Sequence, residues 1–225
     1  MGRVIGVLWH PRRTMSAVVD RPAFVLVWVA ILAVVAICAY ALLSTSVGRQ
    51  ALVDEQVRVI EALGGRVDDA AYAALQANPP WLVYLTSGGR LLLTPVITLL
   101  VAASLMGLAA LDGVKIRYVT ALAITVYASL VLALQQIVAT PLHFIRESLT
   151  SPTSIGGLLP MLDEGSLPAR WLGSIDVFGL WWVGLLAIGL AAATGRPGRR
   201  YLARLLVGYI GIAALVAAVF AVLGA

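Results

Sequence analysis

Long uncharged runs alternate with short polar segments along this chain. Five stretches, Pro22–Leu43, Leu91–Leu111, Tyr118–Thr140, Val177–Ala193 and Leu205–Ala225, contain no Asp, Glu, Lys, Arg or His. A hydrocarbon core of ~30 Å takes about 20 residues of helix. Four runs reach that length, and the run of 17 residues from Val177 borrows from Ser174–Asp176. None alternates with the period of a strand, and hydrocarbon offers backbone N–H and C=O groups no partner, so helices are expected. The pattern predicts an all-α polytopic membrane protein, a single domain over residues 1–225, with transmembrane helices at about 22–43, 91–111, 118–140, 174–193 and 203–225. The first run, at 22 residues, exceeds the ~7–15 of a signal peptide and no small-residue cleavage site follows it, so it is expected to remain as an anchor.

The segments between the runs carry patterns of their own. Pro11–Asp20 reads as a short helix begun by Pro11, with Met15, Val18 and Val19 on one face and Arg12 and Arg13 elsewhere. Residues 1–21 are therefore expected to form an interfacial helix on the cytoplasmic surface. In residues 44–88, Leu52, Val53, Val57, Val59, Ile60 and Leu63 share one side of a helical wheel, and Gly64-Gly65 ends it. Asp68 or Asp69 can begin a second helix, which Asn78-Pro79-Pro80 stops. The expectation is an outward αα-hairpin, with Trp81 and Tyr84 as interface anchors. Residues 141–173 are rich in Ser, Pro and Gly around an apolar patch, Leu158–Leu162, and read as an outer-face loop.

Composition agrees: 61% of residues are hydrophobic and 12% charged, against about half and a quarter in soluble domains. With a mean hydropathy of +0.96, an ordinary soluble enzyme, a disordered chain and a disulfide-knit module are excluded. Cys38 is the sole cysteine, so no internal disulfide forms. The net charge of +5 matters less than its placement. Ten of the 16 basic residues (Arg3, Arg12, Arg13, Arg21, Lys115, Arg117, Arg196, Arg199, Arg200 and Arg204) lie in three segments whose only acids are Asp20 and Asp112. The remaining segments hold six arginines with nine acids. The positive-inside rule puts the N-terminus and the short turns in the cytoplasm, and the two long loops and the C-terminus outside. Arg12, Arg13, Arg196, Arg199 and Arg200 become candidate membrane-surface residues facing anionic lipid. Abundant Ala, Leu, Val and Arg beside one Lys point to a GC-rich genome and a bacterial inner membrane. Membrane lipid, other membrane proteins or further copies of the chain are the expected partners; nucleic acid is not.

Candidate chemistry is sparse. His10 and His143 fall on opposite sides of the expected membrane and Cys38 lies in a span, so no zinc cluster is expected. Phosphate-binding glycine motifs, His-Glu-x-x-His and Gly-x-Ser-x-Gly are absent. No catalytic residue, metal or cofactor is assigned. A hydrolytic set on the outer side would have to come from His143, Asp176 and a loop serine. Spans without ionisable residues argue against ion-driven transport, which retains such residues despite their cost. One polar constellation remains near the outer ends of the spans: Arg90, Thr94, Gln135, Gln136 and Asp176. It suits a lipid headgroup or partner helix, or else ordinary helix bonding by the glutamines, capping by Asp176 and snorkelling by Arg90.

The N-terminal Leu8-Trp-His-Pro-Arg-Arg-Thr-Met-Ser-Ala-Val-Val-Asp-Arg-Pro22 resembles the start of bacterial Ypt-interacting-protein (Yip) domain proteins. Tyr127-Ala-Ser, Gln135-Gln-Ile-Val-Ala-Thr-Pro141 and Arg146-Glu-Ser-Leu-Thr-Ser-Pro-Thr153 are similar to a bacterial branch of that family. Ile175-Asp-Val-Phe-Gly-Leu-Trp-Trp and Leu186-Ala-Ile-Gly189 are similar to the start of its fourth helix. The resemblance implies a five-span membrane protein with a cytoplasmic N-terminus and no catalytic residues to transfer. Eukaryotic relatives act with Rab-type GTPases through a long N-terminal region. Only about 21 residues precede the first span here, so GTPase binding is not carried over. Some bacterial members resemble accessory subunits of ABC-type exporters. The expected role is a non-enzymatic scaffold or accessory subunit; the alternative is a lipid- or small-molecule-handling transporter with an outer-leaflet pocket.

The topology is directly testable. With Cys38 replaced by Ala, a membrane-impermeant thiol reagent applied to intact cells should label Ile60→Cys and leave Gly198→Cys unlabelled. The opposite pattern would reverse the orientation.

Overall fold

In the computed structural model, residues 2–77, 80–156 and 171–223 are described. The expectations for Asn78-Pro79, for the Leu158–Leu162 patch and for the side chains of Trp81, Tyr84 and Arg90 lie outside the described residues and side chains. The order is α1 (Gly2–Trp9), α2 (Pro11–Asp20), α3 (Val25–Leu43), α4 (Ser46–Ala62), α5 (Asp69–Gln76), α6 (Pro80–Ala110), α7 (Tyr118–Ala128), α8 (Leu130–Arg146), α9 (Val177–Thr194) and α10 (Gly198–Leu223). Five helical segments are long and apolar enough to cross a membrane: Val25–Leu43, Leu91–Ala110, Tyr118–Arg146, Val177–Thr194 and Gly198–Val219. Among the described residues no strand forms; an isolated bridge joins Ser154 to Asp176.

Several boundaries depart from the sequence expectations. The N-terminal segment holds two helices, because Gly2–Trp9 also coils before Pro11 starts α2. Pro80 opens α6 instead of closing the hairpin: a proline at the first helical position gives up an N–H that has no intrahelical partner anyway. The helix then runs for 31 residues, through Gly88, Gly89 and Pro95. The outer hairpin thus ends well before residue 88. Pro141 was expected to open a loop, yet α8 passes through it to Arg146. Proline removes one backbone bond, and a membrane helix that stopped there would expose many more. The last span begins at Gly198, not 203.

The chain forms two compact units, residues 1–35, 91–135 and 178–209, and residues 36–90, 136–177 and 210–225. In the first, α7 is the axis: every residue from Thr120 to Ala128 is buried. Ile124, Val126 and Val131 pack with Leu105, Leu185, Leu186 and Leu190. Val7, Met15 and Val18 join the same core, so the apolar face of α2 is filled by protein. Arg3 Nη1 donates to the Arg21 carbonyl at 3.0 Å, satisfying a backbone acceptor just past the end of α2. Tyr127 Oη donates to the Ala23 carbonyl at 3.2 Å, and Trp182 Nε1 to Ser129 Oγ at 3.3 Å. The hydroxyls of Thr98, Thr125 and Ser129 each donate to a carbonyl four residues earlier, which leaves no buried donor orphaned at those positions.

In the second unit, Thr45 caps α4 by accepting from the Gly48 N–H at 3.0 Å. Asp68 caps α5 by accepting from the Ala71 N–H at 2.8 Å, choosing between the two aspartates the sequence offered. Gly64, at φ +82°, ends the turn after α4. Tyr72 fastens α5 to α4: its hydroxyl donates to Asp54 at 2.9 Å and accepts from Gln50 at 2.6 Å. The bond to Asp54 raises the Tyr72 phenol above 10.0, so it stays protonated across the physiological range. Val59, Ile60 and Leu63, from the apolar side of α4, are exposed.

Close packing of α9 on α7 depends on Gly189, where an added Cβ would land on Ile124 Cγ2. Gly189→Val should cost about 1–3 kcal/mol by overpacking, read as a lower melting temperature in detergent. Gly208→Ala on α10, where a Cβ meets nothing within 4 Å, should not lower the melting temperature.

Candidate functional site

The charged side chains of the first unit all lie in three segments, residues 1–21, 112–117 and 196–204. α6 ends at Ala110, and the turn closes with the Val114 N–H donating to the Ala109 carbonyl at 3.1 Å, Gly113 lying at φ +72°. That left-handed residue needs no side chain. It directs Asp112 inward, with only 1% of its side chain exposed. Arg204 Nη1 donates to both carboxylate oxygens at 3.1 Å. Arg200 Nη2 lies 2.9 Å from Oδ1, with 53% of its side chain exposed. Burial pushes the Asp112 carboxyl up. The nearby Tyr201 hydroxyl, the bonds from Arg204 and the charges of both arginines outweigh it, so Asp112 sits below its ordinary 3.8. An arginine flanked by two oxygens of one carboxylate is a strong, oriented pair.

Beside this clamp lies a half-open cleft of about 660 Å³. α2 contributes Arg12 and Ser16, α9 contributes Gly184 and Ala187, and α10 contributes Arg199 and Leu202. Arg12 and Arg199 are exposed. The candidate surface arginines therefore divide. Arg200 is held by Asp112; Arg12 and Arg199 reach the cleft; Arg13 and Arg196 are exposed, and the Arg196 backbone N–H donates to Thr194 Oγ1 at 3.3 Å. Asp112 was visible in the sequence only as a turn acid. Its isolation among basic neighbours is the signal that marks it. Ser16 carried no signal of its own, and Gly184 and Ala187 read in the sequence only as small residues that thin the fourth span for helix packing.

The outer constellation is divided between the units: Thr94 and Gln135 belong to the first, and Arg90, Gln136 and Asp176 to the second. Thr94 offers its carbonyl to Thr98 at 2.8 Å, and Gln136 its carbonyl to Thr140 at 2.6 Å. Gln135 is half-buried on α8. Asp176 accepts the hydroxyls of Ser151 at 2.7 Å and Thr153 at 2.6 Å. The Ile155 N–H donates to the Ile175 carbonyl at 2.8 Å, so the carboxylate pins the 151–155 segment against the start of α9. A serine does meet Asp176, but without an imidazole between them. His143 Nδ1 instead bonds the Ser148 carbonyl at 2.8 Å. Among the described residues these bonds do not form the nucleophile–base–orienter chain of a hydrolase. Among the described residues no group of His, Cys, Asp and Glu has metal-binding geometry.

Compared with known proteins, the sequence profile described as the Yip1 domain matches residues 5–221. No curated protein and no solved structure matches the chain.

The Asp112 clamp carries a pH signature. A carboxyl lowered on folding contributes stability that is fully present above its unfolded value and is lost as pH falls through the folded one. The part of the acid-induced fall in melting temperature that Asp112 contributes should therefore begin as pH drops below its ordinary 3.8. Asp112→Asn should melt lower than the parent at neutral pH and show a smaller acid-induced drop. An equal drop in both proteins would remove Asp112 from the account.

Proposed function

The chain belongs to the Yip1 domain family, and from that premise we propose that it is a non-enzymatic integral membrane protein that binds other membrane components as a scaffold or accessory subunit. The observation that carries this reading is the uneven burial of the spans. Within an 18-residue apolar window of each span, 56% is buried for Tyr118–Arg146 and 39% for Val177–Thr194, against 11%, 17% and 11% for the first, second and fifth spans. Lipid can cover such faces, but it gives no reason for glycine on them. Glycine in a helix interior costs about 1 kcal/mol relative to alanine. Gly107 on α6 and Gly208 and Gly211 on α10 are exposed, and an added Cβ there meets nothing within 4 Å. Outward glycines let a neighbouring helix approach closely.

The basic segments favour an orientation with α1, α2 and the α9–α10 turn in the cytoplasm of a bacterial cell. An ABC-type exporter is one class of partner that the family resemblance brings forward, and a second copy of the chain is another. The uncharged span cores support a role in binding, not in moving ions.

Affinity purification from membranes in mild detergent should recover the chain with a stoichiometric membrane partner or as a defined oligomer. Gly208→Leu with Gly211→Leu should abolish that association while leaving the melting temperature close to the parent's. A solitary monomer in every detergent and lipid tried would overturn the reading.

A further inference from the structure

We infer that the cleft between α2, α9 and α10 binds one anionic phospholipid, its phosphate between Arg12 and Arg199 and an acyl chain along the trough floored by Gly184 and Ala187. Four observations converge. The first is shape. At Gly184 an added Cβ meets nothing within 4 Å, and Ala187 projects only a methyl, so the trough exists because its floor has almost no side chains. Its volume, about 660 Å³, is in the range that holds a medium-sized ligand.

The second is chemistry. One part of the lining is cationic, with the Ser16 hydroxyl alongside, and the rest is apolar, including Leu202. A phosphate joined to a hydrocarbon chain matches that division. A free anion would leave the trough unfilled, and a neutral lipid would leave the guanidiniums uncompensated. The third is charge accounting. Arg200 and Arg204 are both paired with Asp112, which offsets one of their two charges. Among the described residues neither the Arg12 nor the Arg199 guanidinium has a hydrogen bond or ion pair. Two unpaired guanidiniums on different helices, facing one cleft, suit bidentate capture of a phosphate.

The fourth is position. α9 ends at Thr194 and α10 starts at Gly198, so the cationic part of the cleft is at the span termini, where lipid phosphates lie. Basic pockets between spans are a known arrangement for anionic headgroups. The lipid would also tie α2 to the start of α10, since Arg12 and Arg199 come from those two elements. This inference stands apart from the scaffold reading. It can fail while a protein partner is found, and it can hold for a chain that associates with none.

The test uses the full chain in detergent and native mass spectrometry with added phosphatidylglycerol or phosphatidylcholine. One phosphatidylglycerol adduct should persist at lipid levels where phosphatidylcholine gives none. Arg12→Gln with Arg199→Gln should weaken retention about thirtyfold, the sum of two membrane-surface arginines. Arg13→Gln with Arg196→Gln should weaken it much less. Gly184→Leu should displace the lipid with both charges intact, which separates loss of the trough from loss of the arginines. Inorganic phosphate should fail to compete. Equal retention of the two lipids, unchanged retention in the Arg12/Arg199 variant, retention unaffected by Gly184→Leu, or displacement by inorganic phosphate would each overturn the assignment. Melting curves of each variant confirm that it is folded.

Discussion

Every backbone N–H and C=O within the hydrocarbon must find its partner inside the protein. This constraint decides where helices persist in this chain. It carries α6 through Pro95 and α8 through Pro141, because ending either helix would expose more polar groups than the proline removes. It also explains the small hydroxyls. Thr98, Thr125, Ser129 and Thr140 return their protons to carbonyls of their own helix, so no hydroxyl proton is left unsatisfied in the apolar environment. The uncharged span cores follow from the same cost, which is larger still for ions.

Once charge is excluded from the span cores, specific interactions concentrate at helix ends and in connections. Asp112 with Arg200 and Arg204, Asp176 with Ser151 and Thr153, and Tyr72 with Asp54 all obey this pattern. Between them, cohesion comes from close packing. α7 is surrounded because Ala121, Ala123 and Ala128 are short, and α9 approaches it at Gly189. The outer spans gain less from this packing. Their exposed glycines and aliphatic side chains are the surface on which any neighbour, lipid or protein, must act.

Most of the fold was legible in the sequence because hydrophobic run length reports directly on bilayer thickness. The five spans, the turn at Gly64-Gly65 and the cap on α5 could be read from local chemistry alone. The misread boundaries share one cause. Pro80, Pro141 and the Arg199-Arg200 pair look like helix breakers or loop residues by local rules, whereas the need to satisfy the backbone near lipid extends the helix through or up to them. α1 was missed because eight residues are too few for a convincing period. The site was less legible than the fold. The sequence marks arginines as a group but not which of them has a counter-charge, since Arg200 and Arg204 find Asp112 across 88 and 92 residues. A trough lined by glycine and alanine is legible only after three helices are placed around it.

That division among the arginines separates two roles that basic residues have in membrane proteins. A topology signal needs only positive charge near a span, and it works equally well for a residue facing water, lipid or a carboxylate. Arg13 and Arg196, both exposed, fit that minimum requirement. Arg204 exceeds it by meeting both oxygens of a buried carboxylate. Arg12 and Arg199 exceed it in another way, since they come from separate helices and line one apolar cleft without a counter-ion among the described residues. Two such cations repel each other, and a trough left open forfeits packing contacts along its length. Both costs fall together when a molecule carrying a negative charge on an apolar tail occupies the cleft. The bilayer itself supplies molecules of that kind.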